Sequence, residues 1–337
     1  MSLLLLKTSL AQPRPWRDFQ QNVSSTADVI INEVLANEPG SNTKLEWVEL
    51  FNTDSIDHDL GGWLFVSKDD TTLIPSGTII ASGGFLIIAR KLVSEPPDSI
   101  SFEGYWGDGS GVWGDSPEED FPAVEAKMSL TNSGGTISLI DSDQNIRSLT
   151  WDEDCGDGIS LEKISPEESD QPDNWSCCTH PDKSTPGKTN SVTPAENDLS
   201  IQSEELFSSP PIPLEDSSFS ITAIVKNAGI AKSLANEIVF FNDRNWDGVL
   251  EEDEQLADLI MIPPLEVGEA DAISIEVDFP KGNYRIYARI GGDEKDFNNQ
   301  AFVNLKVRGT LPDVVINEFM CNPDLDLSQT EWVELNN

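Results

Sequence analysis

Basic residues are scarce in this chain: 21 Lys and Arg face 60 Asp and Glu over 337 residues, a formal charge of −39. A surface of that sign repels phosphate backbones and anionic headgroups, which argues against nucleic-acid binding and against docking on anionic membranes. Cations are its natural partners. Long apolar runs are missing as well. The longest candidate, Thr78 to Arg90, is interrupted by Ser82, Gly83 and Gly84, well short of the ~18 residues that mark a membrane span. Histidine occurs only twice, at His58 and His180, both in polar surroundings. The sequence contains no nucleophile elbow, phosphate-binding loop or dinucleotide fingerprint. Its four cysteines, Cys155, Cys177, Cys178 and Cys321, form neither a CxxC pair nor a zinc-ligand spacing. Cys155 with either Cys177 or Cys178 would close a loop of about 22 residues, a plausible disulfide if the protein is exported.

What is present is a core. Nine Trp and 14 Phe accompany the charge, and a disordered acidic chain would lack them. At the N-terminus, Leu3-Leu-Leu-Leu6 followed by Ser9 and Ala11 reads as the tail of a signal peptide. Residues 1–26 are therefore expected to be a leader remnant and disordered lead, and the protein to be secreted or at the cell surface.

One internal repeat stands out. Asp28-Val-Ile-Ile-Asn-Glu and Glu46-Trp-Val-Glu-Leu recur as Asp313-Val-Val-Ile-Asn-Glu and Glu331-Trp-Val-Glu-Leu, with 13 residues from Glu33 to Glu46 and 13 from Glu318 to Glu331. Residues 312–337 thus read as the truncated start of a second copy. Two strands bury little by themselves, so this tail is expected to be disordered, to pack on the preceding domain, or to pair with another chain. Between the copies, short β-branched and aromatic runs alternate with Gly, Asp, Asn and Pro punctuation, and no window has a convincing helical period. The expected fold class is all-β, as tandem immunoglobulin-like β-sandwiches spanning 27–191 and 198–309. Pro181 to Glu196 has a linker composition, with 192–197 as the join. Ser94 to Val124, carrying Trp106-Gly-Asp and Trp113-Gly-Asp, reads as a long surface loop.

The first of these regions resembles the lamin tail domain family in its bacterial, exported form. The resemblance rests on Ile30-Ile-Asn-Glu-Val-Leu, Glu46-Trp-Val-Glu-Leu-Phe-Asn, Leu60-Gly-Gly-Trp-Leu, Asp157-Gly-Ile-Ser-Leu-Glu-Lys-Ile, Asn174-Trp and Ser184-Thr-Pro-Gly-Lys-Thr-Asn-Ser191. The acidic stretch from about 95 to 125 departs from the compact family pattern. The second region is similar to the cell-adhesion-related bacterial domain, CARDB, in Val225-Lys-Asn-Ala-Gly, Leu265-Glu-Val-Gly, Gly282-Asn-Tyr-Arg-Ile and Phe297-Asn-Asn. These resemblances imply binding modules and do not imply catalysis.

The sharpest chemical motif runs from Asp243 to Glu254. Asp243, Asn245 and Asp247 supply oxygens at positions 1, 3 and 5 of a calcium loop, Gly248 makes the turn, Val249 offers its carbonyl, Glu251 can act through water, and Glu254 closes the loop at position 12. Because a strand pattern precedes it, the expected role of calcium is structural. Trp106 and Trp113 could form a ligand-stacking pair, although a loop anchored on its own domain suits them better; Trp47, Trp63, Trp151 and Trp175 read as core. The acid pairs Glu46 and Glu49, Glu331 and Glu334, and Asp152 and Asp154 invite an acid–base reading. In the first two pairs, however, the residues have opposite strand parity and should face opposite sides of a sheet. The expected function is a non-catalytic adhesion, binding or spacer protein engaging other proteins or surface polysaccharide, with no nucleic acid and no membrane span. The alternative is the accessory portion of a larger secreted enzyme, such as a nuclease or other hydrolase.

Overall fold

Alternating burial along the strands organises the whole structure, a computed structural model that describes residues 29–41, 43–94, 100–309, 315–320 and 332–336. The expected leader at 1–26 and Cys321 lie outside those residues. Among the described residues no helix is long and apolar enough to cross a membrane.

The first sandwich comprises β1 (Val29–Leu35), β2 (Trp47–Asn52), β3 (Leu64–Ser67), β4 (Asp70–Leu73), β5 (Phe85–Ala89), β6 (Ala123–Glu125), β7 (Gly135–Ile140), β8 (Ile146–Trp151), β9 (Leu161–Lys163) and β10 (Trp175–Cys177). One sheet has the order β10-β9-β1-β2-β5-β6, and the other β8-β7-β3-β4. All pairings within them are antiparallel except β5 with β6. Ile31, Val34, Val48, Leu50 and Leu86 face Phe65, Ile137, Leu139 and Leu149 between the sheets.

In β1, β2 and β5 both faces are covered, because two further segments lie across the outer face of the larger sheet. Over one half sits the 100–122 insertion, containing α1 (Phe102–Trp106). Phe102 packs there against Leu35, Trp47, Ile87 and Ala89, with Trp106, Trp113 and Phe121 around it. The expected surface loop is therefore a cover layer, since its aromatics bury more area against the sheet than they could exposed. The other half is covered by 184–191, where Ser184, Thr185, Asn190 and Ser191 are buried. The linker composition of this stretch misleads, because its small polar side chains are what a sheet face carrying acids needs as partners. The two covers meet at Gly187 (φ +74°), where a Cβ would lie 2.2 Å from the Phe121 ring, so only glycine fits.

The second sandwich comprises β11 (Leu199–Ser200), β12 (Leu206–Ser209), β13 (Phe219–Asn227), β14 (Asn236–Asn242), β15 (Ile260–Ile262), β16 (Ala270–Val277), β17 (Gly282–Ile290) and β18 (Gln300–Val307). β13 pairs with β11 and β12 on one edge and β16 on the other, and the facing sheet is β15-β14-β17-β18. Period-two burial in β13 sends Ile221, Ala223 and Val225 into a core shared with Phe240, Ile286 and Ala288. Both units are immunoglobulin-like sandwiches, and the protein is all-β. They touch where Lys295 Nζ donates to the Ser191 carbonyl at 2.7 Å and His180 packs edge-on to Phe297.

β19 (Val315–Met320) and β20 (Trp332–Asn336) form a hairpin whose register reproduces that of β1 with β2. Both hairpins are bulged, one between Ile31 and Glu33 and the other between Ile316 and Glu318. Among the described tail residues, Ile316, Phe319, Trp332 and Val333 are exposed and so are not packed on the second sandwich. Among the described residues, the backbone pairing encoded by the repeat is the same in both copies.

Candidate metal centre

Asp243 follows β14 directly and is fully buried. Its Oδ2 accepts from Gly248 N at 3.1 Å, while Oδ1 is buried without a hydrogen-bond partner. From the other end of the loop, Glu254 accepts from Arg244 N through Oε1 at 2.8 Å and from Glu251 N through Oε2 at 3.5 Å. Asp243 and Glu254 thus hold one turn from both sides. Asn245 Oδ1 accepts from Asp247 N at 3.1 Å, Asp247 Oδ1 accepts from Val249 N at 2.8 Å, and Val249 is exposed. The predicted donors are gathered on this turn. Its carboxylates do not, however, form a group of three within 4.8 Å of one another; among the described residues only Glu103, Asp108 and Glu119 do so. A resident cation also stands nearby, because Arg285 Nη1 lies 3.7 Å from Asp243 Oδ2 with its guanidinium over the Trp246 ring. The orphaned Asp243 Oδ1 fits a metal ligand, and Arg285 supplies part of the charge balance that a metal would otherwise bring.

A second acidic site is not evident in the sequence. The bulge at Asn32 shifts strand parity, so that Glu33 comes out beside Glu49 and Glu162 on the covered face of the larger sheet. All three side chains are fully buried. Thr185 N donates to Glu33 Oε1 at 2.9 Å, Gly187 N to Glu49 Oε2 at 2.6 Å, and Ser191 Oγ and Val192 N to Glu162 Oε2 at 2.7 and 3.1 Å. Asn32 Nδ2 donates to Glu49 Oε1 at 2.8 Å. Burial and the neighbouring Glu162 push the Glu33 carboxyl up to about 8, and burial likewise raises Glu49. Glu46 belongs elsewhere, accepting from Arg90 and from Leu130 N, so Glu46 and Glu49 share no site.

The remaining candidates are structural in their contacts. Trp106 stacks on Phe102 and donates to Ser184 Oγ at 3.0 Å, and Trp113 meets Phe102 edge-on and donates to the Phe121 carbonyl at 3.0 Å. A groove of about 780 Å³ beside them is lined by Tyr105, Trp106, Phe121, Pro186 and Lys188, and not by Trp113. Cys155 is joined to Cys177, while Cys178 is a buried free thiol.

Among solved structures, similarity is found to the crystal structure of a CARDB domain from Pyrococcus furiosus in complex with di-metal ions (16% identity, TM-score 0.27, covering 34% of this chain and 91% of that one). The solution structure of a CARDB domain from the same organism gives 18% identity and a TM-score of 0.25, covering 33% and 94%. A Salmonella alpha-2-macroglobulin mutant gives 11% identity and a TM-score of 0.19, covering 87% of this chain and 25% of that one. No curated protein matches the chain. The family model of the Lamin Tail Domain matches residues 22–153, from ahead of β1 through β8, stopping short of the β9 and β10 strands that complete the same sheet.

Proposed function

We infer that this chain is a non-catalytic binding or spacer region of a secreted or cell-surface protein. It would engage other proteins or surface polysaccharide, with calcium held in the second sandwich by Asp243, Asn245, Asp247, Glu254, the Val249 carbonyl and, through water, Glu251. The observation that carries this reading is the use made of the buried acids. Glu33, Glu46, Glu49 and Glu162 are at most 2% exposed, and their oxygens accept from backbone and side-chain donors that close the fold. A carboxylate in that position is out of a substrate's reach. The Cys155–Cys177 disulfide supports an oxidising compartment.

Two measurements test the reading. Protein recovered from its native host should lie outside the cytoplasm and carry Cys155 and Cys177 oxidised by peptide mass spectrometry; cytoplasmic protein with both thiols free would overturn the assignment. Reproducible turnover in a hydrolase screen, abolished by one substitution in this chain, would overturn its non-catalytic part. For the calcium site, an extracellular-type dissociation constant of roughly 10⁻⁴ to 10⁻³ M gives about 1.4 to 2.7 kcal/mol of stabilisation at ten to a hundred times that concentration. Melting of the second sandwich in the full chain should therefore rise by several degrees in calcium over chelator. Asp243→Asn or Glu254→Gln should remove that rise.

A further inference from the structure

Outside the predicted loop, the 100–122 insertion brings three acids together. Glu103 sits on α1, Asp108 just beyond it, and Glu119 follows the second Trp-Gly-Asp segment. One carboxylate oxygen from each lies within 4.8 Å of the other two. Glu103 is fully buried and Glu119 is 2% exposed. Among the described residues no Lys, Arg or His forms an ion pair with any of the three.

The backbone provides part of what the buried charges need. Gly111 N donates to Glu103 Oε1 at 3.0 Å, and Asp108 N and Gly114 N donate to Glu119 at 3.1 and 2.7 Å. The remainder is left over: Glu103 Oε2 is buried with no partner, and so is Ser116 Oγ in the same segment. An unpaired buried carboxylate oxygen is costly, and nothing apolar is gained by placing it there. Gly107 shows how closely the arrangement is fitted, since a Cβ at that position would lie 2.1 Å from Glu119 Oε1. The carboxylate rests against bare backbone.

We propose that Glu103, Asp108 and Glu119 bind a divalent cation, calcium by preference, that locks the insertion onto the first sandwich. The donors are all oxygen, which selects a hard cation over zinc or copper. Calcium accepts six to eight oxygens in flexible geometry at about 2.3–2.6 Å, whereas magnesium demands a near-ideal octahedron at about 2.0–2.1 Å, so carboxylates fixed by a loop fold suit calcium better. Water completes the shell on the exposed Asp108 side. The cation joins the helix that carries Phe102 to the 3-10 turn leading into Phe121, and so holds Trp106 and Trp113 where they pack.

Terbium is the probe, because it takes calcium's place among oxygen ligands and its emission is sensitised by nearby indoles. The full chain, stripped with chelator, should show indole-sensitised terbium luminescence that calcium displaces, and calorimetry with calcium chloride should show a binding event that survives Asp243→Asn. Glu103→Gln should weaken that event ~10-fold or more. Asp108→Asn, an exposed change that keeps the fold, should do the same, with near-ultraviolet circular dichroism confirming that the aromatics remain packed. The proposal is overturned if the stripped wild-type chain binds no cation at millimolar calcium, or if either Asp108→Asn or folded Glu103→Gln leaves the Asp243-independent binding unchanged.

Discussion

Thr185 shows at the scale of one hydroxyl why Glu33 must hold a proton. Its Oγ1 lies 3.1 Å from Glu33 Oε2 and 2.8 Å from Glu162 Oε1, yet it has a single hydrogen to donate. Both contacts are satisfied when a protonated Glu33 donates to Thr185 and Thr185 donates to Glu162. The raised Glu33 value of about 8 has the same direction, from burial first and Glu162 second. The unfolded chain releases this proton near 4.5 and the folded chain keeps it until about 8, so across that window the native state binds more protons than the unfolded state. Stability from this group is therefore full below pH 4.5 and falls as pH rises, by about 1.4 kcal/mol per pH unit for one proton, with no further loss above pH 8. Denaturant titrations between pH 5 and 8 should show a shallower decline for Glu33→Gln than for wild type; parallel curves would mean that Glu33 is ionised in the fold. Cys178 is held in the same surroundings, 3.5 Å from Ser191 Oγ, and burial together with Glu162 pushes its thiol up to about 12. As the thiolate is the nucleophile, iodoacetamide at pH 8 should leave Cys178 unlabelled until the protein is unfolded, as followed by peptide mass spectrometry.

At the scale of elements, the covered sheet decides most of the architecture. Phe102 is the anchor of one cover, 5.9 Å from Trp47 and 5.2 Å from both Trp106 and Trp113, centroid to centroid. Phe102→Ala should cost about 3–5 kcal/mol and free the insertion, read as a lower melting temperature of the first sandwich and red-shifted tryptophan emission. An unchanged spectrum would mean that the insertion is held by other contacts. The strands were largely legible in the sequence, because alternation in Phe219–Asn227 and apolar density in Phe85–Ala89 are direct images of one-sided and two-sided burial. The function of 184–191 was not, because Ser, Thr, Pro and Gly compose a buried polar cover as readily as a linker. Nor was the acid row, because an extra residue at Asn32 exchanges inward and outward positions without leaving a mark in the composition. The 243–254 loop was visible because its oxygens follow one another at regular spacing. Glu103, Asp108 and Glu119 follow no such spacing and are assembled by the fold of the insertion.

For the molecule as a whole, the contact between the start and the end of the first sandwich sets how it would behave under load. Asn190 Nδ2 donates to the Asn32 carbonyl at 3.0 Å, and Asn32 Nδ2 donates back to Asn190 Oδ1 at 2.9 Å. The Lys163 carbonyl accepts from the same Asn190 amide at 2.8 Å. Tension applied along the chain at β1 would reach 184–191 through these bonds and pass on along the backbone to the second sandwich, which Lys295 also ties to the Ser191 carbonyl. The core between the sheets lies off that path. A string of such units would extend little until these few polar bonds gave way, and only then would the sandwich be loaded. In single-molecule pulling, Asn190→Ala should lower the force of the first rupture while leaving the length released on full unfolding unchanged. Side-chain amides at the seam, and not the size of the apolar core, would then set the mechanical strength of the protein.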